Sequence, residues 1–194
     1  MTPLTGSQLQ LIKENHNIAF NCGDGDLNEF FCNDAVEYQK QLLAKTYQYA
    51  KNNEIIAMFS VSNDNISLSS ETKKRTYQRS KQLRYYPAVK IGRLGVAESQ
   101  RDKGIGSQII QFLKIFFLVR NKTGCRYITV DAYNKPRTLN FYKTNGFDFF
   151  TKEDESKETR TMYLDLLPFH KTIQANKDLR DKIDTTIKDV LKES

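Results

Sequence analysis

The sequence predicts a mixed α/β (α+β) fold built around one principal domain, and three observations support that prediction. Segments with the period-two alternation of strands occur in both halves of the chain, between segments with helical spacing. A broad apolar helical face starts at Ile105 and follows a loop with two glycines. Within the strand predicted at 88–97, the alternation slips by one residue at Gly92-Arg93, which indicates a β-bulge.

The first half of the chain is predicted to form a strand, a helix and a hairpin. Residues 12–20 have the pattern of an opening turn and strand. Asp26 is of the residue type that caps helices, and the helix that follows is expected to extend to Tyr38. The strands of the predicted hairpin are 46–50 and 54–62.

The second half continues with three more strands and two helices. The helix that starts at Ile105 leads to a short strand at 127–132. Pro136 suits the first turn of the next helix, which is expected to end near Gly146. The closing pair of strands is predicted at 147–150 and 161–166.

The C-terminal residues carry one apolar stripe with charges between its members. This pattern predicts an amphipathic helix, and we divide the chain into a domain at 1–168 and a helical extension at 169–194. The helix either packs on its own domain or forms an interface with a second subunit or another protein. The stripe consists of Leu179, Ile183, Ile187 and Leu191.

Composition excludes some classes of protein and leaves others open. The chain of 194 residues is 39% hydrophobic and 27% charged, as is ordinary for a folded domain. No apolar run approaches the roughly 18 residues of a membrane span, and no signal peptide is evident, so the expected location is the cytoplasm. The net charge of +7 has three interpretations: a phosphate-bearing cofactor, a nucleic acid partner, or solubility alone.

Cysteines and histidines give no sign of a disulfide or a metal site. The chain has an odd number of cysteines, and no two of them form a CxxC pair; they are Cys22, Cys32 and Cys125. The two histidines, His16 and His170, are far apart in the sequence. We therefore expect small, buried thiols and no bound metal.

Most of the excess positive charge lies in one stretch, residues 69–84, which we call the basic segment. It holds six lysines and arginines against a single acid, Glu71. A solvated loop is one interpretation. A phosphate-backbone site is the other, with tyrosines as a stacking surface and with Lys73, Lys74 and Arg75 as candidate substrate-binding residues.

The stretch 93–107 carries the clearest chemical signal. It is predicted to be a strand, a loop with Gly104 and Gly106, and the start of a long helix. Glycines let the backbone approach a ligand, and the free N–H groups at a helix start hold phosphate. Arg101 and Lys103 add positive charge, so the local chemistry favours an anionic phosphate ligand.

Here the chain resembles the GNAT acetyltransferases. The family loop, (Gln/Arg)-x-x-Gly-x-(Gly/Ala), matches Arg101-Asp-Lys-Gly-Ile-Gly106 and follows a strand ending in Leu94-Gly-Val96. A second match, at the expected distance, consists of Ile128-Thr-Val-Asp-Ala132 and Asn140-Phe-Tyr-Lys-Thr-Asn-Gly-Phe147. The order of elements is similar to the family's along residues 10–166.

Four further stretches resemble one branch of that family. This branch contains toxins of toxin–antitoxin pairs that acetylate the amino group of aminoacyl-tRNA, and other members whose substrates we do not assign. A neighbouring gene for a ribbon-helix-helix protein, a candidate antitoxin partner, would favour the toxin interpretation. The stretches are Phe20-Asn-Cys-Gly23, Leu27-Asn-Glu-Phe30, Tyr86-Pro-Ala88 and Ile91-Gly-Arg-Leu-Gly-Val96.

The resemblance implies a fold, a cosubstrate and residue roles. It implies a mixed sheet of about six or seven strands with helices on both faces and a splayed, bulged central strand. Acetyl-CoA is the implied cosubstrate, with its thioester carbonyl on the N–H of Val96 and with Tyr142 protonating the departing thiolate. The implied cofactor-binding residues are Leu94, Gly95, Val96, Arg101, Asp102, Lys103, Gly104, Ile105, Gly106, Ser107 and Asn134.

The chain departs from the family pattern at two of these positions. Asp102 stands where a glycine is usual, and we expect its carboxylate to point away from the phosphates. Lys135 stands seven residues before Tyr142, where asparagine is frequent, with Asn134 beside it. Asn134 is therefore the candidate for that coenzyme contact.

The acceptor is inferred from charge. The bulged strand carries Lys90 and Arg93 and no acid, so a strongly basic amine would find no base there. An α-amine on an anionic molecule needs less help, and aminoacyl-tRNA is such an acceptor, with Arg93 as a candidate contact. Alternatives are a protein or small-molecule amine, a non-catalytic CoA-binding module and, on net charge alone, a DNA-binding protein. For the oligomeric state, a homodimer is one alternative to a monomer.

Overall fold

A computed structural model gives the structure, and it describes residues 8–13, 19–52, 54–70, 72–73, 82–119 and 123–190. These residues form a seven-stranded sheet in the order β1-β2-β3-β4-β5-β7-β6. All neighbouring strands are antiparallel except β4 and β5, which are parallel and joined by a helical crossover. The strands are β1 (Gln8–Leu11), β2 (Lys45–Lys51), β3 (Glu54–Ile66), β4 (Tyr86–Val96), β5 (Tyr127–Tyr133), β6 (Asp148–Phe149) and β7 (Thr159–Asp165).

Helices cover both faces of this sheet, as predicted. On one face, Ile109, Ile110 and Leu113 pack with the buried side of β4 and β5. On the other face, Phe31 and Met58 belong to a second apolar cluster. The helices are α1 (Gly25–Glu29), a π-helical turn (Phe30–Asp34), α2 (Ala35–Lys40), a 3-10 turn (Glu98–Gln100), α3 (Ile105–Val119), α4 (Pro136–Thr144), α5 (Leu167–Ala175) and α6 (Lys177–Val190).

The predicted bulge in β4 lies at Gly92. Ser60 of β3 pairs with Arg93 and Val61 pairs with Ile91, which leaves Gly92 as the extra residue. On its other side, β4 pairs with β5 only as far as Ile91, which lies opposite Val130. Beyond this point the two strands separate, and the gap between them forms the candidate site.

The start of the first helix differs from the sequence prediction. Residues 8–11 form the opening strand; of the predicted 12–20, residues 12–13 and 19–20 are not in a strand, and 14–18 lie outside the described part. Asp24, not Asp26, is the N-cap of α1, because its side chain accepts a hydrogen bond from the Leu27 N–H at 3.1 Å. Gly25 enters the helix, so the cap lies two residues earlier than the pattern indicated.

Replacing Asp24 with Ala is expected to lower the free energy of unfolding by about 1 kcal/mol, because the Leu27 N–H loses its cap. Urea denaturation measures this change. Asp26→Ala is the matched control and is expected to change stability by less than about 0.5 kcal/mol. Equal losses from the two variants would contradict the assignment of the cap.

The C-terminal segment forms two helices, α5 and α6, where the sequence predicted one. Ile183 of α6 is buried with Ile115 of α3, and Leu179 and Ile173 pack against this pair. The described part of α6 therefore packs on its own domain. The side chain of Ile187 and all of Leu191 lie outside the described part, and the division at residue 168 stays a prediction.

Candidate active site

A cleft of about 910 Å³ opens where β4 and β5 separate. At one end, which we call the loop end, it is bounded by the loop before α3 and by α4. At the other, the far end, it is bounded by α1, α2 and the polar side of β4 and β5. The predicted site residues that line it are Arg93, Leu94, Gly95, Val96, Arg101, Asp102, Gly104, Ile105, Gly106, Ser107 and Tyr142.

The loop end is shaped to receive an anion. Gly104 has a φ of +74°, and α3 begins at the next residue. Because Gln108 makes the first helical bond, to Gly104, the N–H groups of residues 105–107 have no helical carbonyl to bind. A side chain at Gly106 would approach the Phe141 ring to 3.1 Å, so glycine allows α3 to lie close to α4. Backbone N–H groups at a helix start fit a diphosphate such as that of coenzyme A.

The last residues of β4 offer backbone donors to the cleft. Ala97 donates its N–H to Ile56 of β3 at 2.9 Å. Because the N–H groups of an antiparallel strand alternate in direction, those of Val96 and Leu94 point away from β3. On that side β5 no longer pairs, so both groups face the open gap. This free strand edge can pair with an extended ligand.

Tyr142 lies on α4 with its ring buried. Only 7% of the residue is exposed, and its ring packs edge-on against Phe141 and Phe147 at centroid distances of 5.0 and 5.3 Å. Burial raises the pKa of Tyr142 well above its ordinary value, so the hydroxyl stays protonated near neutral pH. A protonated hydroxyl beside a cleft is a proton donor.

Arg101 and Lys103, which the sequence suggested as phosphate-binding cations, point to protein groups. Arg101 donates through Nη2 to the carbonyl oxygen of Cys22, in the turn before α1, and lies 4.0 Å from Glu98. Lys103 donates to the carbonyl oxygen of Ser99 at 3.1 Å and does not line the cleft. Arg101 therefore lines the cleft with its guanidinium already bound to protein groups.

Asp102 adopts an unusual backbone conformation and has a partner that sequence reasoning missed. Its φ is +60°, in the left-handed region, where aspartate is tolerated better than most residues. Its carboxylate accepts a hydrogen bond from Arg137, at the start of α4, at 2.6 Å. Both side chains are more than three-quarters exposed, and both residues line the cleft.

Asn134 binds a neighbouring loop instead of lining the cleft. Its side-chain N–H₂ donates to the carbonyl oxygens of Glu155 and Lys157, both at 2.9 Å. This holds the β6–β7 connection against the end of β5. A coenzyme contact through this amide would require those bonds to change.

At the far end, Arg93 lies among aromatic and acidic groups. Its guanidinium stacks 5.0 Å from the centre of the Phe30 ring, and its Nε is 3.8 Å from Asp26. Tyr133 donates its hydroxyl to the same carboxylate at 3.0 Å. These contacts place Arg93 and Tyr133 on the side of the sheet that α1 covers.

Asp131 is a second carboxylate of the cleft that the sequence reasoning passed over. It lies on β5, just beyond the last residue paired with β4, and forms an ion pair with Lys90. Thr161 donates its hydroxyl to Asp131 at 2.8 Å. The signal was present in the alternation of β5, where Asp131 takes the opposite phase to buried Val130 and Ala132.

Of the substrate-binding residues predicted in the basic segment, Lys74 and Arg75 lie outside the described residues. Lys73 is in a helical turn and donates its backbone N–H to Ser69. Among the described residues, no three His, Cys, Asp or Glu side chains are placed to share a metal ion. None of the described helices has the length and apolar character needed to cross a membrane.

A strand edge that runs from an anion-binding helix start past a buried tyrosine suits one class of protein. Such a protein holds an extended, phosphate-bearing thioester and passes its acyl group to an acceptor. A comparison with family models identifies this class of protein, because residues 49–148 match the acetyltransferase (GNAT) domain. The chain belongs to the GNAT family and is an acetyl-CoA-dependent N-acetyltransferase, as the resemblance implied.

Solved structures with the same fold are similar to this chain at low sequence identity. AtaT complexed with acetyl-methionyl-tRNAfMet is 16% identical with a TM-score of 0.69, covering 86% of this chain and 99% of that one. A tyrosine-to-phenylalanine mutant of KacT is 15% identical with a TM-score of 0.70, covering 88% and 99%. A tyrosine-to-phenylalanine mutant of the AtaT toxin, bound to the C-terminus of the antitoxin AtaR and acetyl-CoA, is 14% identical, with a TM-score of 0.60 and coverage of 88% and 97%. No curated protein sequence matches significantly.

Proposed function

We propose that this acetyltransferase transfers acetyl from acetyl-CoA to the α-amine of aminoacyl-tRNA, and that it does so in the cytoplasm. The observation that carries this proposal is the charge of the basic segment, which joins β3 directly to β4, the strand that lines the cleft. Ile66 and Leu68, just before the segment, pack with Tyr86 and Ala88, which follow it. Because Ala88 and Lys90 lie on the same face of β4, the residues that flank the segment pack on the face of Lys90.

This charge suits an acceptor carried on a large polyanion whose reactive end enters the cleft. The basic segment holds six cations against one acid, and a nucleic acid backbone binds such a surface. At the far end, Arg93 and Lys90 are paired with Asp26 and Asp131, so the basic segment rather than the cleft wall supports a polyanionic acceptor. The likeness to AtaT with acetyl-methionyl-tRNAfMet supports the same acceptor class. An antitoxin partner is part of this proposal, supported by the likeness to AtaT bound to AtaR.

The residues of the cleft have separate roles in direct transfer. The N–H of Val96 polarises the thioester carbonyl, and the N–H of Leu94 extends the same free edge. The loop from Arg101 to Ser107 positions the diphosphate through its backbone. The acceptor amine attacks from the far end. Tyr142 then gives its proton to the departing thiolate, because its buried hydroxyl is held in the protonated form.

The acceptor amine needs only modest help to lose its proton. The pKa of an α-amino group is about 7.7–8.0, so much of it is neutral near pH 8. A lysine or polyamine amine, with a pKa near 10.4, would need a strong base. Asp131 is paired with Lys90, and Asp26 with Tyr133, so each carboxylate already has a partner. This arrangement favours the less basic amine.

The acceptor is tested by incubating the purified chain with radiolabelled acetyl-CoA and, separately, charged tRNA, uncharged tRNA and spermidine. Label is expected only on charged tRNA, from which mild alkali should release it as an N-acetylated amino acid. Transfer to spermidine alone would overturn the acceptor assignment. Binding of acetyl-CoA with no transfer to any amine would favour the non-catalytic module.

The same assay tests the basic segment when Lys73, Lys74 and Arg75 are all replaced with Gln. Affinity for charged tRNA is expected to fall, and the dependence of log K on log salt to flatten by about 2–3, because up to three phosphate contacts are lost. Affinity for acetyl-CoA should not change. The matched control replaces three exposed lysines on other surfaces, Lys51, Lys171 and Lys177. Equal effects from the two triple variants would leave the segment as a solvated loop.

A further inference from the structure

The loop end of the cleft has a backbone cradle for a diphosphate, but its two expected cations point elsewhere. Arg101 binds the Cys22 carbonyl oxygen, and Lys103 binds the Ser99 carbonyl oxygen and the Gln100 side chain. Arg137 does line the cleft, at the first turn of α4, across from the start of α3. Among the described residues its charged partner is Asp102, which belongs to the loop itself.

We propose that Arg137 is the side-chain cation that binds a phosphate of acetyl-CoA, and that Asp102 is a built-in counter-anion that competes for it. The phosphate and the Asp102 carboxylate are both anionic oxygen groups, and a guanidinium binds either through the same pair of N–H groups. The proposal rests on acetyl-CoA as cosubstrate. It does not depend on which amine is acetylated.

The ion pair is of a kind that exchanges readily. Arg137 and Asp102 are 77% and 79% exposed, so water screens their attraction and each side chain is free to rotate away. The diphosphate carries two negative charges against one for the carboxylate, and the N–H groups of the cradle hold it at the same time. When acetyl-CoA is bound, its phosphate therefore binds Arg137 in place of the Asp102 carboxylate. Because Asp102 must be displaced, it lowers the affinity for acetyl-CoA.

The backbone at Asp102 indicates that its side chain is not needed for the shape of the loop. A φ of +60° is adopted more easily by glycine than by any residue with a side chain. A glycine would give the turn without placing a carboxylate beside the phosphates. Aspartate adds both a conformational cost and a negative charge at this position, and the contact that it gains is the one to Arg137.

The proposal is tested by calorimetry of acetyl-CoA binding to the wild type, Asp102→Asn, Arg137→Gln and the double variant. Arg137→Gln is expected to raise Kd about tenfold, as for the loss of a charge-assisted contact. Asp102→Asn is expected to lower Kd about threefold to tenfold, because asparagine also tolerates the left-handed conformation and frees Arg137. The gain from Asp102→Asn should be smaller in the Arg137→Gln background, since no guanidinium remains to be released.

Two further arms make the result specific. Lys103→Gln is the control for the loss of any nearby charge and is expected to leave Kd within about twofold, because Lys103 is not among the residues that line the cleft. Dephospho-CoA lacks the 3′-phosphate, so the Arg137→Gln effect disappears with this ligand if Arg137 binds that group, and it persists if Arg137 binds the diphosphate. An unchanged Kd for Arg137→Gln, or equal losses for Arg137→Gln and Lys103→Gln, would overturn the proposal.

Discussion

Replacing Tyr142 with Phe is expected to lower kcat about 100-fold or more, the range typical of losing a general acid. Phenylalanine keeps the ring that packs against Phe141 and Phe147 and removes only the hydroxyl. The departing thiolate then has no positioned proton donor. Steady-state kinetics with charged tRNA, the proposed acceptor, together with calorimetry of acetyl-CoA binding, measures the two effects separately. Kd is expected to stay within about twofold, because the ring contacts remain.

The pH profile gives an independent readout of the same residue. Because burial raises the pKa of Tyr142 above its ordinary value, the hydroxyl keeps its proton as the pH rises through the range where a free tyrosine begins to ionise. Activity should therefore rise with pH as the acceptor amine loses its proton, without an alkaline fall caused by Tyr142. Tyr133→Phe is the control for loss of a hydroxyl at the far end. A Tyr142→Phe enzyme with kcat near the wild-type value would show that the thiolate obtains its proton elsewhere.

Replacing Val96 with Pro is expected to lower kcat by about 100-fold, equivalent to about 3 kcal/mol, the usual cost of losing one oxyanion donor. Proline lacks the N–H that faces the gap. The sheet should tolerate the change, because the Val96 N–H points away from β3 and because Pro87 already occupies β4. Single-turnover acetyl transfer measures the chemical step.

Ala97→Pro is the matched control, one residue along the chain. It removes the N–H that donates to Ile56 at 2.9 Å, so it should reduce the free energy of unfolding more than Val96→Pro does. Urea denaturation of both variants separates the two effects. If Val96→Pro folds normally and transfers acetyl at the wild-type rate, the N–H of Val96 does not polarise the thioester.

Much of the fold was predictable because its strongest signals are local. The slip at Gly92-Arg93 gave the bulge, since side-chain alternation reports directly on which residues pair. The N-cap of α1 was misplaced because Asp24 and Asp26 are both good capping residues on either side of a glycine. The choice between them depends on which backbone N–H is left free, and the sequence does not encode that locally.

The candidate site was predictable in its backbone and less so in its side chains. The residues from Leu94 to Val96 and the loop to Gly106 line the cleft as expected, because motif spacing determines where backbone groups lie. Long side chains choose partners in three dimensions. Arg101 and Asn134 bind carbonyl oxygens that are distant in sequence, while Arg137 and Asp131 reach the cleft from α4 and β5.

The bond from Arg101 to the Cys22 carbonyl oxygen links two parts of the enzyme with different tasks. Arg101 begins the loop that would hold the coenzyme, and Cys22 belongs to the turn that precedes α1, on the wall met by the incoming acceptor. Glu98 donates its N–H to the Asn21 carbonyl oxygen at 3.0 Å and makes a second bond across the same joint. We therefore expect a displacement of one wall to be transmitted to the other, so that loading of the coenzyme influences admission of the acceptor.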